Sequence, residues 1–225
     1  MQHIAIIMDG NRRWARQNGL SIDEGHKMGM EKIKDILNII KKNNIKYFTI
    51  FTFSNENWKR DKEEVDDLMN IIENYISTEK DEFKKNDVKV KVIGRCDKVR
   101  DSILKKISLI EENTKDCQSM QFNIAFNYGG RQEIIDAVKK IVALNTSVDD
   151  IDEKLFEKYL YYGSGVPCPD LIIRTGGESR MSNFLLWEMA YSELYFTDVF
   201  WPDFNEKLFY EIIDCYNKRE RRYGR

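Results

Sequence analysis

Three clusters of polar and charged residues each stand directly behind an apolar, β-type run. The first is Asp9-Gly10-Asn11-Arg12-Arg13-Trp14, behind HIAIIMD. An aspartate there can hold a metal ion. Gly10 lets the backbone approach a ligand closely, and Asn11 with the amides after it opens a turn or helix start of the kind that receives phosphate. Arg12 and Arg13 add permanent positive charge. The second is Phe53-Ser54-Asn55-Glu56-Asn57-Trp58-Lys59-Arg60, which gathers a hydroxyl, amides, a carboxylate, an indole and a guanidinium. The third runs Arg174-Thr175-Gly176-Gly177-Glu178-Ser179-Arg180-Met181-Ser182. Its glycines permit close approach, its arginines can fork onto phosphate oxygens, and its serines can donate at a helix N-terminus, so it can cradle a diphosphate. Plainer readings stand beside these. They are an Asp-Gly turn with two solvated arginines, an N-cap for a helix starting near Arg60 or Asp61, and a loop ending in an N-cap at Ser182.

The elements that must position these clusters alternate between β and α. Strands are predicted at His3–Asp9, Tyr47–Phe53, Val88–Gly94, Phe122–Tyr128 and Asp170–Arg174, from buried or alternating apolar patterns. Helices are predicted over Gly25–Lys42, Asp61–Lys85 and Val99–Glu112, then through Ile134, Val138 and Ile141, and over Asp152–Leu160, Ser182–Ala190 and Asn205–Arg222. Tyr162–Pro169, with two glycines and two prolines, reads as a loop. Glu193 follows the expected Ser182–Ala190 helix and by itself is a polar residue near a helix end. The order predicts a mainly parallel sheet with helices on both faces. Ligands of such sheets collect at the carboxyl ends of the strands, where the three clusters fall.

Composition narrows the function class. The 225 residues suit one domain, 1–225, with a core of its own. A formal charge of −2 argues against a general nucleic-acid binder. Cys96, Cys117, Cys168 and Cys215 are scattered and without a CxxC pair, so buried free thiols in a reducing cytoplasm are expected rather than a zinc site. The chain opens directly on MQHIAIIMDG, so no leader is expected, and no apolar run reaches the ~20 residues that span a bilayer. P-loop, dinucleotide and GxSxG fingerprints are absent, and His3 and His26 are the only histidines.

The segments HIAIIMDGNRRWA, GHKMG, FTFSNENWKR, FNYGGRQEI, DLIIRTGGESRMSNFLLWEMAYSELYFTDVFWPDF and RERRYG resemble, in order, the cis-prenyltransferases of the undecaprenyl diphosphate synthase type. The resemblance spans essentially the whole chain. It implies an α/β fold with a central, mainly parallel six-stranded sheet flanked by helices, a hydrophobic tunnel for the growing chain, and a homodimer. It implies magnesium as cofactor and isopentenyl and farnesyl diphosphates as substrates. The activity it implies is sequential condensation to a long-chain polyprenyl diphosphate, made in the cytoplasm and passed on through transient contact with a membrane surface. By the same resemblance, Asp9 binds magnesium and assists departure of the diphosphate, with Glu193 completing the metal site across the dimer interface. Gly10, Asn11, Arg12, Arg13, Trp14 and His26 hold the allylic diphosphate, with Arg60 contributing. Ser54, Asn55, Glu56 and Trp58 shape the reacting region, and Asn57 takes the proton-acceptor position. Arg174, Arg180, Met181 and Ser182 take isopentenyl diphosphate, and the tail Arg222-Tyr223-Gly224 reaches the neighbouring subunit.

Departures from the family pattern fall at Ser179, where a metal-binding His is usual, and at Ile22, where an Arg is common. Arg12 replaces a common Gly, and Thr52 takes the place of a small tunnel residue. Tunnel walls are expected from Ile50, Thr52, Ile72, Ile76, Phe122 and Ile124. The competing readings are a synthase of shorter products, a non-catalytic partner subunit, and a plain phosphate-binding module. A non-catalytic partner is expected to lack the strand-end Asp and the full arginine set, whereas Asp9, Arg174, Arg180 and Glu193 are all present. A phosphate-binding module leaves the NWKR and RMSNF segments together unexplained.

Overall fold

The computed structural model describes residues 1–219. Six strands form one sheet: β1 (His3–Ile7), β2 (Tyr47–Ser54), β3 (Val88–Ile93), β4 (Met120–Tyr128), β5 (Leu171–Arg174) and β6 (Glu193–Phe196). Their order is β3-β4-β2-β1-β5-β6, and every neighbouring pair is parallel. The helices are α1 (Asn11–Gln17), α2 (Ile22–Lys42), α3 (Lys62–Lys85), α4 (Asp101–Thr114), α5 (Gly130–Ala143), α6 (Glu153–Tyr159) and α7 (Glu206–Asn217).

The apolar pattern of β1 shows how the layers form. Ile4 and Ile6 point into the larger core, against Ile33, Ile36 and Ile40 of α2 and Phe209 and Ile212 of α7. Ala5 and Ile7 point the other way, against Ile172, Tyr128, Phe184 and Leu185. Two-residue alternation on a fully covered strand produces this split. Pairing of Ile7 with both Phe51 and Arg174 brings the carboxyl ends of β1, β2 and β5 side by side.

Two features adjust that edge. Between β2 and β4 the register slips twice, at Thr52 and at Asn127, whose φ is 48°. Each slip re-aims the residues beyond it. α1 also lies unusually close to α2. A Cβ on Gly25 would come within 2.6 Å of the Asn11 carbonyl, and one on Gly29 within 2.6 Å of the Asn11 side chain. The GHKMG segment is therefore a contact face that seats α1, with His26 between its glycines.

Several expectations are corrected. α2 begins at Ile22 rather than Gly25, because Ser21 and Glu24 form a capping box there. The first cluster goes beyond a helix start and forms α1. The expected helix over Ser182–Ala190 is absent. Ser182, Asn183 and Leu185 have φ of 48°, 65° and 46°, which no right-handed helix accommodates. Phe184 and Leu185 are buried by packing on the sheet instead. β6, which sequence patterning missed, is a four-residue edge strand whose hydrogen bonds to β5 define it. Cys96, Cys168 and Cys215 are exposed and Cys117 is half-buried, so the thiols are not core residues. Cys215, for example, lies beside the buried face of α7 formed by Phe209, Ile212 and Tyr216. The tail Arg222-Tyr223-Gly224 falls outside the described residues.

Candidate active site

A cleft of about 890 Å³ opens at the carboxyl edge of the sheet. Asp9, Gly10, Asn11, Arg12, Arg13, His26, Ser54, Glu56, Asn57, Arg60, Arg174, Arg180 and Ser182 line it, joining the three sequence clusters in one wall.

Asp9 is the hinge of one half. Its Oδ1 accepts from Arg13 Nη2 at 3.1 Å and its Oδ2 from Arg174 Nη2 at 2.8 Å. Thr175 Oγ1 holds the Asp9 carbonyl at 2.7 Å. Arg174 is 5% exposed and also donates from Nη1 to Ser182 Oγ at 2.7 Å and to the Arg180 carbonyl. Its Nε is buried without a partner. The left-handed backbone at Ser182 thus aims a hydroxyl at Arg174 instead of capping a helix. Two glycines make this compactness possible. Gly10 has φ 112°, with Phe200 2.6 Å from a hypothetical Cβ. Gly176 has φ 86°, with Arg13 Nη2 2.8 Å from one. L side chains rarely adopt such φ, and here they also lack room.

The other half gathers Arg12, His26 and Arg60. Arg60 Nη1 lies 2.9 Å and Arg12 Nη1 3.4 Å from Glu64 Oε1. Burial first, then the neighbouring Arg60 and Arg12 cations, hold the His26 pKa down to about 4, with Glu64 pulling it upward. His26 is therefore neutral at pH 7. Its Nε2 and the Asn11 Oδ1 are buried without partners. Donor-rich walls with orphaned polar atoms suit an anionic, oxygen-rich ligand.

The Asn55–Lys59 turn behind β2 closes one side. Asn57 Oδ1 accepts from the Ser54 amide at 2.9 Å, and Glu56 Oε1 from Asn183 Nδ2 at 2.9 Å. Other expected site residues support the wall from behind. Trp58 Nε1 donates to Asn127 Oδ1 at 2.7 Å while its ring meets Phe53 edge-on. Trp14 Nε1 is turned to Asp203 Oδ1 at 2.8 Å. Asn55 lies against Gly129, and Met181 packs on the smaller core.

Glu193 is placed elsewhere. It pairs with Leu171 at the start of β5, whereas Arg174 ends that strand, and it accepts from Arg219 Nη1 at 2.6 Å. Three strand rises, roughly 10 Å, separate those ends. Within one chain Glu193 and Asp9 do not meet, and among the described residues no group of three or more His, Cys, Asp or Glu could hold a metal.

At its inner end the cleft passes Met30, Thr52 and Ile72 into an apolar seam walled by Ile50, Tyr75, Ile76, Val92, Ile107, Ile124 and Phe126. Only about 10 Å³ of it is open. Ile50, Thr52, Ile72, Ile76 and Ile124 are where the sequence placed tunnel walls. Phe122 instead packs in the core on Phe48 and Phe83. Sequence reasoning missed Arg16, Glu64 and Asn183 in and around the cleft. Of these, only Glu64 had a readable sign, its position four residues after Arg60.

A protein-family model described as "Putative undecaprenyl diphosphate synthase" matches residues 7–224. The chain belongs to this undecaprenyl diphosphate synthase family, and it is an isoprenyl transferase. An "Isoprenyl transferase" of Fusobacterium nucleatum subsp. nucleatum is 48% identical over 99% of this chain and 95% of its own. In Thermoplasma volcanium, a "Tritrans,polycis-undecaprenyl-diphosphate synthase (geranylgeranyl-diphosphate specific)" is 47% identical over 100% and 89%. Among solved structures, lavandulyl diphosphate synthase from Lavandula x intermedia, in complex with dimethylallyl diphosphate, superposes with a TM-score of 0.95 at 36% identity, covering 100% of this chain and 98% of that one. "A probable undecaprenyl diphosphate synthase" from Campylobacter jejuni gives 0.84 at 32%, covering 100% and 99%. The six-stranded sheet flanked by helices is thus the fold of this family.

Proposed function

We propose that this member of the undecaprenyl diphosphate synthase family adds isopentenyl diphosphate repeatedly to farnesyl diphosphate. Its product is a long-chain cis-polyprenyl diphosphate such as undecaprenyl diphosphate, the lipid-carrier precursor of cell-wall synthesis. The carrying observation is the junction of a cation-lined cleft with an apolar seam at Thr52 and Ile72. The charge of the first suits a diphosphate head, and the apolar lining of the second suits a prenyl tail once the seam widens to admit it. The dimethylallyl diphosphate in the lavandulyl diphosphate synthase structure supports an allylic diphosphate as the ligand.

Arg12, Arg13, Arg60, His26, Gly10 and Asn11 hold the allylic diphosphate. Arg174, Arg180 and Ser182 orient isopentenyl diphosphate. The allylic C–O bond breaks with its electron pair going to the diphosphate. The isopentenyl double bond supplies the electrons of the new C–C bond, and loss of a proton restores a double bond. Asn57 Oδ1, with a lone pair free beside the Ser54 amide, is the candidate acceptor. Asp9 is the fitting ligand for magnesium, because that ion combines one or two carboxylates with substrate oxygens and water. When bound, it neutralises charge on the departing diphosphate. Glu193 joins such a site only from the second subunit of a homodimer. No described helix is long and apolar enough to cross a membrane. We place the enzyme in the cytoplasm, delivering its product by transient contact with the membrane surface.

The test is incubation with farnesyl diphosphate, labelled isopentenyl diphosphate and magnesium, followed by chain-length separation. A ladder reaching long products is expected; absence of any incorporation rejects the reading. The narrowness of the seam favours, as second reading, a shorter product, and the same separation distinguishes the two.

A further inference from the structure

The cations of the cleft are not balanced in the same way. Arg13 and Arg174 share Asp9, and Glu178 pairs with Arg180 and, at 3.7 Å, with Arg13. Arg12 and Arg60 have a different counter-ion, Glu64, in the first turn of α3. Both guanidinium groups address the same oxygen, Oε1, and the Glu64 side chain is only 13% exposed. The two arginines come from separate elements, α1 and the end of the turn behind β2. His26, from α2, stands beside them with a buried, unpartnered Nε2. Three elements thus bring nitrogen atoms to one spot, and a single carboxylate offsets one of the two arginine charges.

Arg12 and Arg60 would repel each other without an anion between them, and both retain enough exposure to swing into solvent. One carboxylate shared by two guanidinium groups keeps them aimed. A diphosphate offers the same geometry with more oxygens and more charge. Glu64 engages Nη1 of each arginine, so a diphosphate oxygen can take the shared position between them only by displacing the Glu64 carboxylate.

We propose that Glu64 is a positioning residue that occupies, in the substrate-free enzyme, the place between Arg12 and Arg60 that the allylic diphosphate takes over. This rests on the reading of the cleft as an allylic diphosphate site. Binding is then an exchange of anions, and Glu64 offers the arginines a return partner that lets the product diphosphate leave.

Glu64→Gln keeps the shape and an acceptor oxygen but removes the competing charge. Binding of farnesyl diphosphate, titrated without isopentenyl diphosphate, should tighten by roughly tenfold in Glu64→Gln, as for loss of a nearby like charge in partly screened surroundings. Dissociation of the long product should slow, and the KM for isopentenyl diphosphate should not move. Glu64→Asp, which keeps the charge, should bind farnesyl diphosphate within about twofold of the parent, inside the usual spread of neighbouring-site effects. Arg12→Ala in the Glu64→Gln background should lose most of the gain. Unchanged or weakened farnesyl diphosphate binding in a folded Glu64→Gln protein overturns the proposal, as does equal tightening for both substrates. If the parent protein binds neither farnesyl diphosphate nor inorganic pyrophosphate, the reading of the cleft itself fails, which is a separate result.

Discussion

Single side chains in this cleft do more than one thing at once. Asp9 is the chief case, because it is both the candidate metal ligand and the counter-ion of Arg13 and Arg174. Asp9→Asn keeps the size and one acceptor oxygen but loses the charge. Its turnover is expected to fall by about 10²–10⁴-fold, the scale of losing preorganised transition-state electrostatics. Steady-state kinetics with circular dichroism as the folding control checks this; near-normal turnover in excess chelator would remove both Asp9 and the metal from the chemistry. The shared contact also means that Arg174 is a poor probe of one substrate alone, since its loss also disturbs Asp9. Arg180 and Arg60 are cleaner because neither touches Asp9, although Glu178 also lies 3.7 Å from Arg13 and Glu64 is shared with Arg12. Arg180→Ala should raise the KM for isopentenyl diphosphate, and Arg60→Ala that for the allylic primer, each by about 10–100-fold for a lost charge-assisted contact. Paired titrations decide; equal weakening of both substrates in both variants means one common site.

The elements explain why those side chains meet. α1 carries Asn11, Arg12 and Arg13, and its position depends on two glycines of α2. Adding a methyl at Gly25 places it 2.6 Å from a backbone carbonyl, which cannot rotate out of the way. Gly25→Ala should therefore push α1 outward, with a loss of about 1–3 kcal/mol typical of overpacking. The allylic substrate should suffer more than isopentenyl diphosphate, because Arg174 and Arg180 are carried by the end of β5 and the loop behind it rather than by α1. Denaturant titration and the two KM values together test this; full stability with both values unchanged shows that α1 tolerates the shift. Behind the sheet edge, the Trp201 Nε1 bond to the Gly29 carbonyl at 2.7 Å ties the segment after β6 to the same helix. The seat of α1 is thus fixed from two sides.

At the scale of the molecule, the two faces of the sheet have different chemistry. The larger core leads to the seam, where Thr52 donates to the Ala125 carbonyl at 2.9 Å and lines both the cleft and the seam. Thr52→Leu should block the inner end, giving short products after a normal first condensation, while Thr52→Ala should allow equal or longer ones. Chromatography of the products tests it, and unchanged lengths in both variants place the limiting wall elsewhere. Over the other face lie two buried carboxyl groups. Glu133 accepts from the Tyr161 amide at 2.8 Å and from the Tyr128 hydroxyl. Glu188 has both oxygens buried without a direct partner. Burial, then repulsion from Glu133, pushes its pKa up to about 8. A raised folded-state pKa means that the folded chain holds a proton the unfolded chain releases. Its stabilising effect is fully present below the ordinary carboxylate pKa of 4.5 and is lost as pH rises through about 8. Glu188→Gln should remove this dependence and raise the melting temperature most on the alkaline side. Parallel melting curves of parent and variant across the pH range would show this as no effect if Glu188 stays solvated.

The sequence by itself determined the strand–helix alternation, the parallel sheet and the places where chemistry gathers. Those signals are local: alternating or continuous apolar runs, helical periodicity, and polar clusters at strand ends. It also carried the family resemblance that the comparisons bear out. It did not determine what happens where long-range packing overrides local pattern. Ser182–Ala190 has the composition of a helix, yet Asn183 is held by Glu56 and Arg131 while Phe184 and Leu185 are drawn into the core, and the backbone turns left-handed instead. β6 is too short to announce itself and exists because β5 offers it an open edge. The partners of the cleft were equally hidden. Asp9 meets Arg174 across 165 positions and Glu64 gathers Arg12 and Arg60 from two elements, because charges pair through space and the fold alone sets those distances.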